Sequence, residues 1–171
     1  MPKIFFIINP KAGTGRKDIV ETAIDTYLDR TRHEATIQYT THAGHAAEMA
    51  REMAGKTDII VAVGGDGTVN EVARSLVYTP TALGIIPAGS GNGLARHLRI
   101  PMDPAEAMKL INEACIEKLD YGRINGEAFF CTCGVGFDAF ISMKFAEAGK
   151  RGLSTYIEKT LQDGLSYRPE V

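Results

Sequence analysis

Short apolar runs alternate with stretches of helical spacing along the first two thirds of this chain. Lys3–Ile8 is an aromatic and β-branched run suited to a buried strand. Over residues 17–30 the apolar positions Ile19, Val20, Ala23, Ile24, Tyr27 and Leu28 recur three and four apart, which predicts a helix. Residues 35–40 alternate weakly as a second strand, and residues 43–54 read as a helix of small residues. Residues 58–63 form a third run, followed by a helix with Val69, Val72, Ala73, Leu76 and Val77 on one face. A fourth strand is predicted over residues 83–86, with a short helix over 94–98. Strand and helix in strict alternation predict an α/β fold with a doubly wound, mostly parallel sheet.

The pattern changes after Pro104. Residues 105–115 are helical, but 118–125 and 127–133 read as two strands around the turn at Asn125 and Gly126. We therefore divide the chain into an α/β nucleotide-binding domain, residues 1–117, and the start of a mainly β domain, residues 118–171. Two strands bury little, so Phe129, Phe130, Val135 and Phe137 are expected to lack apolar partners, and the chain reads as stopping inside its second domain. Further strands of the β domain would cover them in the intact protein; within these 171 residues the expected alternatives are a helix over 153–165, a second copy of the chain as a homo-oligomer, or disorder.

Composition narrows the classes. With 171 residues, 44% of them hydrophobic, the chain can bury a core without staples. A net charge of −2 offers no electrostatic footprint for nucleic acid. Three cysteines make no even disulfide framework, and Cys131 and Cys133 lack zinc-knuckle spacing, so they read as reduced core residues of a cytoplasmic protein. The opening apolar run is too short for a signal peptide and no stretch reaches the length of a membrane span, so membrane contact is expected to be peripheral.

Candidate chemistry gathers where predicted strands end. The third strand runs through Gly64, Gly65, Asp66 and Gly67 straight into a helix. Glycines there let a ligand approach the backbone, and the first N–H groups of a helix suit phosphate oxygens. A carboxylate inside such a cradle repels the anion unless a cation lies between them, so Asp66 implies Mg2+; it is alternatively a plain helix cap. The fourth strand ends likewise in Gly89, Ser90, Gly91, Asn92 and Gly93. The loop from Asn9 to Gly13 is either a third phosphate contact or an ordinary turn, and Thr41 either binds phosphate or caps the next helix. His42 and His45 have no acidic or thiol partner at metal-ligand spacing and read as helix-end residues. Dinucleotide, P-loop and nucleophile-elbow signatures are all absent.

Taken in order, Asn9-Pro10-x-x-Gly13, Thr41 before Gly44-His45-Ala46, Gly64 through Glu71, and Pro87 through Asn92 resemble the catalytic domain of the diacylglycerol kinase and sphingosine kinase family. The likeness continues through Lys118 to Gly122, Gly134 to Ala139, and Tyr156-Ile157. It implies ATP-dependent phosphorylation of a lipid hydroxyl, diacylglycerol or a sphingoid base, by an α/β domain joined to a β domain that helps form the lipid pocket. Carried over by position, Asn9, Pro10, Lys11, Ala12, Gly13, Thr41, Gly65, Asp66, Gly67, Thr68, Val69, Asn70, Glu71 and Ser90 would bind ATP. Asp66 would stand at the magnesium and the reacting centre, as metal ligand and catalytic carboxylate; an acidic residue from the remainder of the β domain is the alternative base. Bacterial diacylglycerol kinases usually carry an acidic residue after the loop asparagine where this chain has Gly93; the run from Pro87 to Asn92 followed by a small residue looks more like sphingosine kinases, which leaves the acceptor lipid open. An NAD kinase, whose glycine-rich loop is similar, and a non-catalytic nucleotide-binding module are the alternatives.

Overall fold

The four apolar runs pair into one parallel sheet. In the computed structural model, which describes residues 1–13, 17–147, 162, 167 and 168, these are β1 (Lys3–Ile8), β2 (Glu34–Tyr39), β3 (Ile59–Gly64) and β4 (Ala82–Pro87), in the order β2-β1-β3-β4. Successive strand residues point to opposite faces, and β1 is buried on both. Ile4, Phe6 and Ile8 pack with Val20 and Ile24 of α1 (Lys17–Tyr27) and with Met108 and Ile111 of α5 (Pro104–Glu113). Phe5 and Ile7 pack on the other side with Met49 and Ala50 of α2 (His45–Met53) and Val72 and Leu76 of α3 (Asp66–Leu76). Helices on both faces explain why β1 and β3 are continuously apolar rather than alternating. Each fully buried large side chain contributes about 1.5–3 kcal/mol.

Chain order reverses between β1 and β3, because the chain leaves β1 for β2 on one side and returns to β3 on the other. Loops leaving the carboxyl ends at such a switch point diverge and open a crevice for ligands. The loops after β1 and β3 flank that point here.

Several boundaries differ from the sequence pattern. Helix α1 ends at Tyr27 rather than residue 30, because the Asp29 carboxylate accepts the Thr31 N–H at 3.0 Å and turns the chain. Helix α2 starts at His45, since Gly44 before it has φ of 86°. Residues 118–121 are not strand: β5 (Gly122–Ile124) and β6 (Glu127–Phe129) form a short antiparallel hairpin. Its turn residues Asn125 and Gly126 both have positive φ, as a two-residue hairpin turn requires.

The cysteine expectation is overturned, for Cys115, Cys131 and Cys133 are all exposed free thiols. So is part of the expectation for the apolar side chains after residue 128. Phe129 is half-buried, its ring lying over Gly122, and Phe130 packs against the α2/α3 core layer. Arg74 of α3 pairs with Glu127, tying the hairpin to the helix. Val135 stays 74% exposed.

The chain divides into two compact units, Met1–Cys131 and Thr132–Val171. In the second, α6 (Phe137–Glu147) is met by Tyr167, whose ring lies 5.5 Å from that of Phe137 and 5.4 Å from that of Phe140. Of the helix expected over 153–165, Gln162 is described and is helical; the rest lies outside the described residues.

Candidate functional site

Helix α3 is the hub of the loops that the sequence singles out. It follows β3 through Gly65, whose backbone is extended, and its first residue is Asp66. The Asp66 carboxylate does not cap its own helix. It reaches across to the loop after β4 instead, where Oδ2 accepts the Asn92 N–H at 2.9 Å and Oδ1 accepts the Gly93 N–H at 2.6 Å. Those two amides open the short helix α4 (Gly93–His97), so Asp66 caps a helix 27 residues away in sequence.

Two residues along, the buried Thr68 hydroxyl accepts the Asn9 side-chain N–H at 3.0 Å. Asn9 in turn accepts the Lys11 N–H at 3.0 Å and donates its own backbone N–H to Val63 at 2.9 Å. The β1 loop is thereby held in a compact turn over the end of β3. One turn further along α3, Glu71 accepts the Gly44 N–H at 3.1 Å and so caps α2 just after the Thr41 turn. Asp66, Thr68 and Glu71 thus each hold a different loop, and every bond joins residues that are 26 or more apart in sequence.

Two of these loops also touch through bare backbone. A Cβ built on Gly89 would lie 2.5 Å from the Gly65 Cα and 2.9 Å from Asn92 Oδ1, so only glycine permits this approach. The β4 loop is closed on itself by Asn92, which takes the left-handed conformation with φ of 56°. Its side chain accepts the Gly89 N–H at 3.0 Å and donates to the Gly89 carbonyl at 2.8 Å. Arg96 Nε donates to the Gly91 carbonyl at 2.8 Å.

Around this frame, Pro10, Lys11, Gly13, Thr41, Asp66, Gly67 and Ser90 are exposed, while Gly65, Asn70 and Glu71 are half-buried. Ala12 and Val69 are buried; Val69 anchors α3 in the core and its N–H is taken by the Gly65 carbonyl. The side chains of Ala12, Thr68 and Val69 therefore sit inward beneath the loops, with the exposed residues beside them. The surface they form is open. A separate groove of about 330 Å3 between α1 and α5, with Ile19, Tyr27 and Pro104 in its lining, includes none of these residues.

Asp66 is the exposed carboxylate of this surface that could hold a cation. A carboxylate has about four lone-pair positions, and two of those on Asp66 are taken by N–H groups, which leaves two on an exposed side chain. Among the described residues no three His, Cys, Asp or Glu stand together as a metal cage. One carboxylate, with phosphate and water supplying the rest, suits Mg2+.

Sequence reasoning missed the residues that act through backbone or at the second rank. The Asn92 and Gly93 amides, the Asn92 latch and His45, which accepts the Thr41 N–H at 3.1 Å, are all of this kind. Asparagine between two glycines was a readable signal, because asparagine tolerates the left-handed conformation and bonds its own turn. Cys131 was not readable at all, yet its sulfur lies 3.0 Å from where a Cβ of Gly93 would stand.

Comparisons with known proteins bear on this arrangement directly. The family model for the diacylglycerol kinase catalytic domain matches residues 3–124, which contain the whole parallel sheet and all four loops. A diacylglycerol kinase of Bacillus subtilis (strain 168) is 35% identical over 144 residues, 80% of this chain and 46% of that protein. One of Staphylococcus saprophyticus is 33% identical over 129 residues, 72% of this chain and 41% of its own length. The crystal structure of a diacylglycerol kinase from Bacillus anthracis str. Sterne superposes with a TM-score of 0.66 at 34% identity, covering 75% of this chain and 48% of that one. The chain spans about half the length of these relatives. With its sheet, its glycine loops and the hub helix all inside the matched span, this chain belongs to the diacylglycerol kinase catalytic domain family.

Proposed function

We propose that residues 1–117 bind Mg-ATP on the loops after β1, β2, β3 and β4, and that the whole protein transfers the γ-phosphoryl group to a lipid alcohol. The observation that carries this reading is the use of α3 as a hub. Its first two turns hold three loops in a fixed relation while Asp66, Gly67, Ser90 and Lys11 stay exposed beside them. Phosphoryl transfer asks a protein chiefly for positioning and charge neutralisation, and a preformed set of loops on a rigid sheet supplies the positioning.

In this reading the exposed N–H groups of Gly67 and the β1 loop, together with Lys11, face the phosphates. Asp66 is the catalytic carboxylate, with one remaining acceptor position for Mg2+ and one for the acceptor hydroxyl. A bound Mg2+ would neutralise charge on the phosphoryl group being transferred. The segment from residue 118 belongs to the acceptor side. Among the described residues no helix is long and apolar enough to cross a membrane, so the lipid would be met at the bilayer surface. Both diacylglycerol and a sphingoid base stand as acceptors; the names of the relatives support the first, and Gly93 the second.

The test is a turnover assay of the whole protein with labelled ATP and a panel of lipid alcohols, with NAD as a competing acceptor. Lipid phosphorylation is expected. Phosphorylation of NAD alone would make the protein an NAD kinase, and magnesium-dependent ATP binding without any turnover would make it a binding module.

A further inference from the structure

The Thr41 turn is held in part by two histidines, His42 and His45, that are not among the residues proposed to bind nucleotide. The Thr41 backbone N–H donates to His45 Nδ1 at 3.1 Å, and the Thr41 hydroxyl lies 3.2 Å from the same nitrogen. It also lies 3.0 Å from Nδ1 of His42, whose ring stacks on that of His45 with centroids 4.6 Å apart and planes at 11°. Below the turn, Gly44 takes a φ of 86° and gives its N–H to Glu71. The turn is therefore pinned at both ends, to α3 through Glu71 and to the head of α2 through His45.

Nδ1 accepts a hydrogen bond only while it carries no proton. The Thr41 contact assigns neutral His45 to the tautomer with its proton on Nε2. Protonation places an N–H on both ring nitrogens, so Thr41 N–H would then face another donor and the bond would be lost. The charged groups on the elements packed around the ring are few. Helix α2 itself carries Glu48, 3.6 Å from His42 Nε2, and Arg51 and Glu52 near its far end. Helix α3 contributes Glu71 on the Gly44 amide, Asp66 on the β4 loop and Arg74, which pairs with Glu127. Strand β1 contributes only Lys3, at its opposite end.

We propose that His45 is a positioning residue for nucleotide: its neutral imidazole fixes the backbone of Thr41, so that protonating this one ring loosens the Thr41 turn and weakens Mg-ATP. The inference rests on the proposed ATP site, since Thr41 matters to affinity only if the nucleotide reaches it. It adds a pH dependence that the hub of α3 does not itself produce. His42 plays a secondary part. Stacked and beside Glu48, it covers the outer face of the His45 ring.

Three forms of the chain, the unaltered protein, His45→Ala and His45→Asn, are titrated with Mg-ATP at pH 8 and pH 5.5. Asparagine keeps an acceptor at the place of Nδ1 but does not titrate. The unaltered chain should lose roughly three- to tenfold more affinity on acidification than His45→Asn does, the common loss belonging to ATP and Asp66. At pH 8, His45→Asn should bind within about threefold of the unaltered chain, and His45→Ala at least about tenfold more weakly, the scale of a hydrogen bond. Equal pH slopes in the unaltered chain and His45→Asn would overturn the proposal, as would full affinity in His45→Ala. A second measurement needs no nucleotide. Nitrogen NMR of the unaltered chain should find His45 Nδ1 without a proton at pH 8, and the Thr41 amide should exchange faster at pH 5.5, after correction for intrinsic rates, than in His45→Asn. A proton on Nδ1 at pH 8 would overturn the proposal. Absence of Mg-ATP binding in the unaltered chain would instead sink the ATP site, with the NMR result still deciding the His45 contact.

Discussion

The Asp66 carboxylate accepts the Gly93 backbone N–H at 2.6 Å, joining the first turn of α3 to the first turn of α4. Its other oxygen holds the Asn92 N–H at 2.9 Å. A side chain that the glycine pattern marks as the acid of a nucleotide site is therefore also a strut between two loops. Charge and strut can be separated by substitution.

Asp66→Asn keeps one acceptor oxygen and turns an NH2 group toward the second N–H. We expect a loss of about 1–2 kcal/mol in stability, the scale of one charge-assisted bond on an exposed side chain. In the whole protein kcat should fall by at least about a hundredfold, because the charge proposed to face the metal and the acceptor hydroxyl is gone. Thermal melts and lipid-kinase assays on the same preparation check both. Near-normal turnover with lowered stability would leave Asp66 a strut only.

Gly89→Ala should drive the two glycine loops apart. The added methyl would lie 2.5 Å from the Gly65 Cα, which is backbone and has no rotamer to yield. Overpacking of this kind costs about 1–3 kcal/mol, and the displaced loops should weaken Mg-ATP by at least about tenfold. Denaturant melts and nucleotide titration measure the two effects. Unchanged affinity would mean that the crossing of these loops does not shape the nucleotide site.

Gly93→Asp tests what sets the acceptor. The Gly93 backbone does not need glycine for its φ, and a Cβ there would stand 3.0 Å from Cys131 Sγ and 3.5 Å from Asp66 Oδ1. A second carboxylate would thus be placed beside Asp66. We expect the whole enzyme to shift its relative kcat/KM toward diacylglycerol over a sphingoid base by at least about tenfold, or 1.4 kcal/mol. An unchanged ratio would free this position from any part in acceptor choice.

Asn112→Ala serves as the control at the far end of the sheet. Asn112 Nδ2 donates to the Tyr27 carbonyl at 2.6 Å and its Oδ1 accepts the Asp29 N–H at 3.0 Å, fastening α5 to the end of α1. Loss of both should cost about 1–3 kcal/mol in a denaturant melt while leaving Mg-ATP affinity unchanged. A matching loss of affinity would show that nucleotide binding follows global stability and not the loop frame.

Much of the fold was legible in local pattern. The apolar runs at 4–8 and 59–63 could only be strands covered on both faces, and the helices between them forced a parallel sheet with its loops at one edge. The turn at Asn125 and Gly126 was legible for the same kind of reason, since those residue types accept positive φ. Strand length in the hairpin was not, because residues 118–121 alternate charged and apolar side chains like a strand but have no partner, and a strand exists only by pairing. Nor was the exposure of Cys131, a small thiol suited equally to core and surface until the hairpin is docked.

By itself, then, the amino-acid sequence determined which segments are strands and helices, and that glycines, a carboxylate and hydroxyls would crowd the strand ends, because periodicity and backbone freedom are local properties of the chain. Tertiary structure alone decided that Asp66 holds Asn92 and Gly93, that Thr68 holds Asn9 and that Glu71 holds Gly44. These partners are 26 to 59 residues apart, and they meet only because the β2-β1-β3-β4 order sets the ends of β1, β3 and β4 side by side. A hydrogen bond acts over about 3 Å, so its identity is fixed only when packing has fixed the distance.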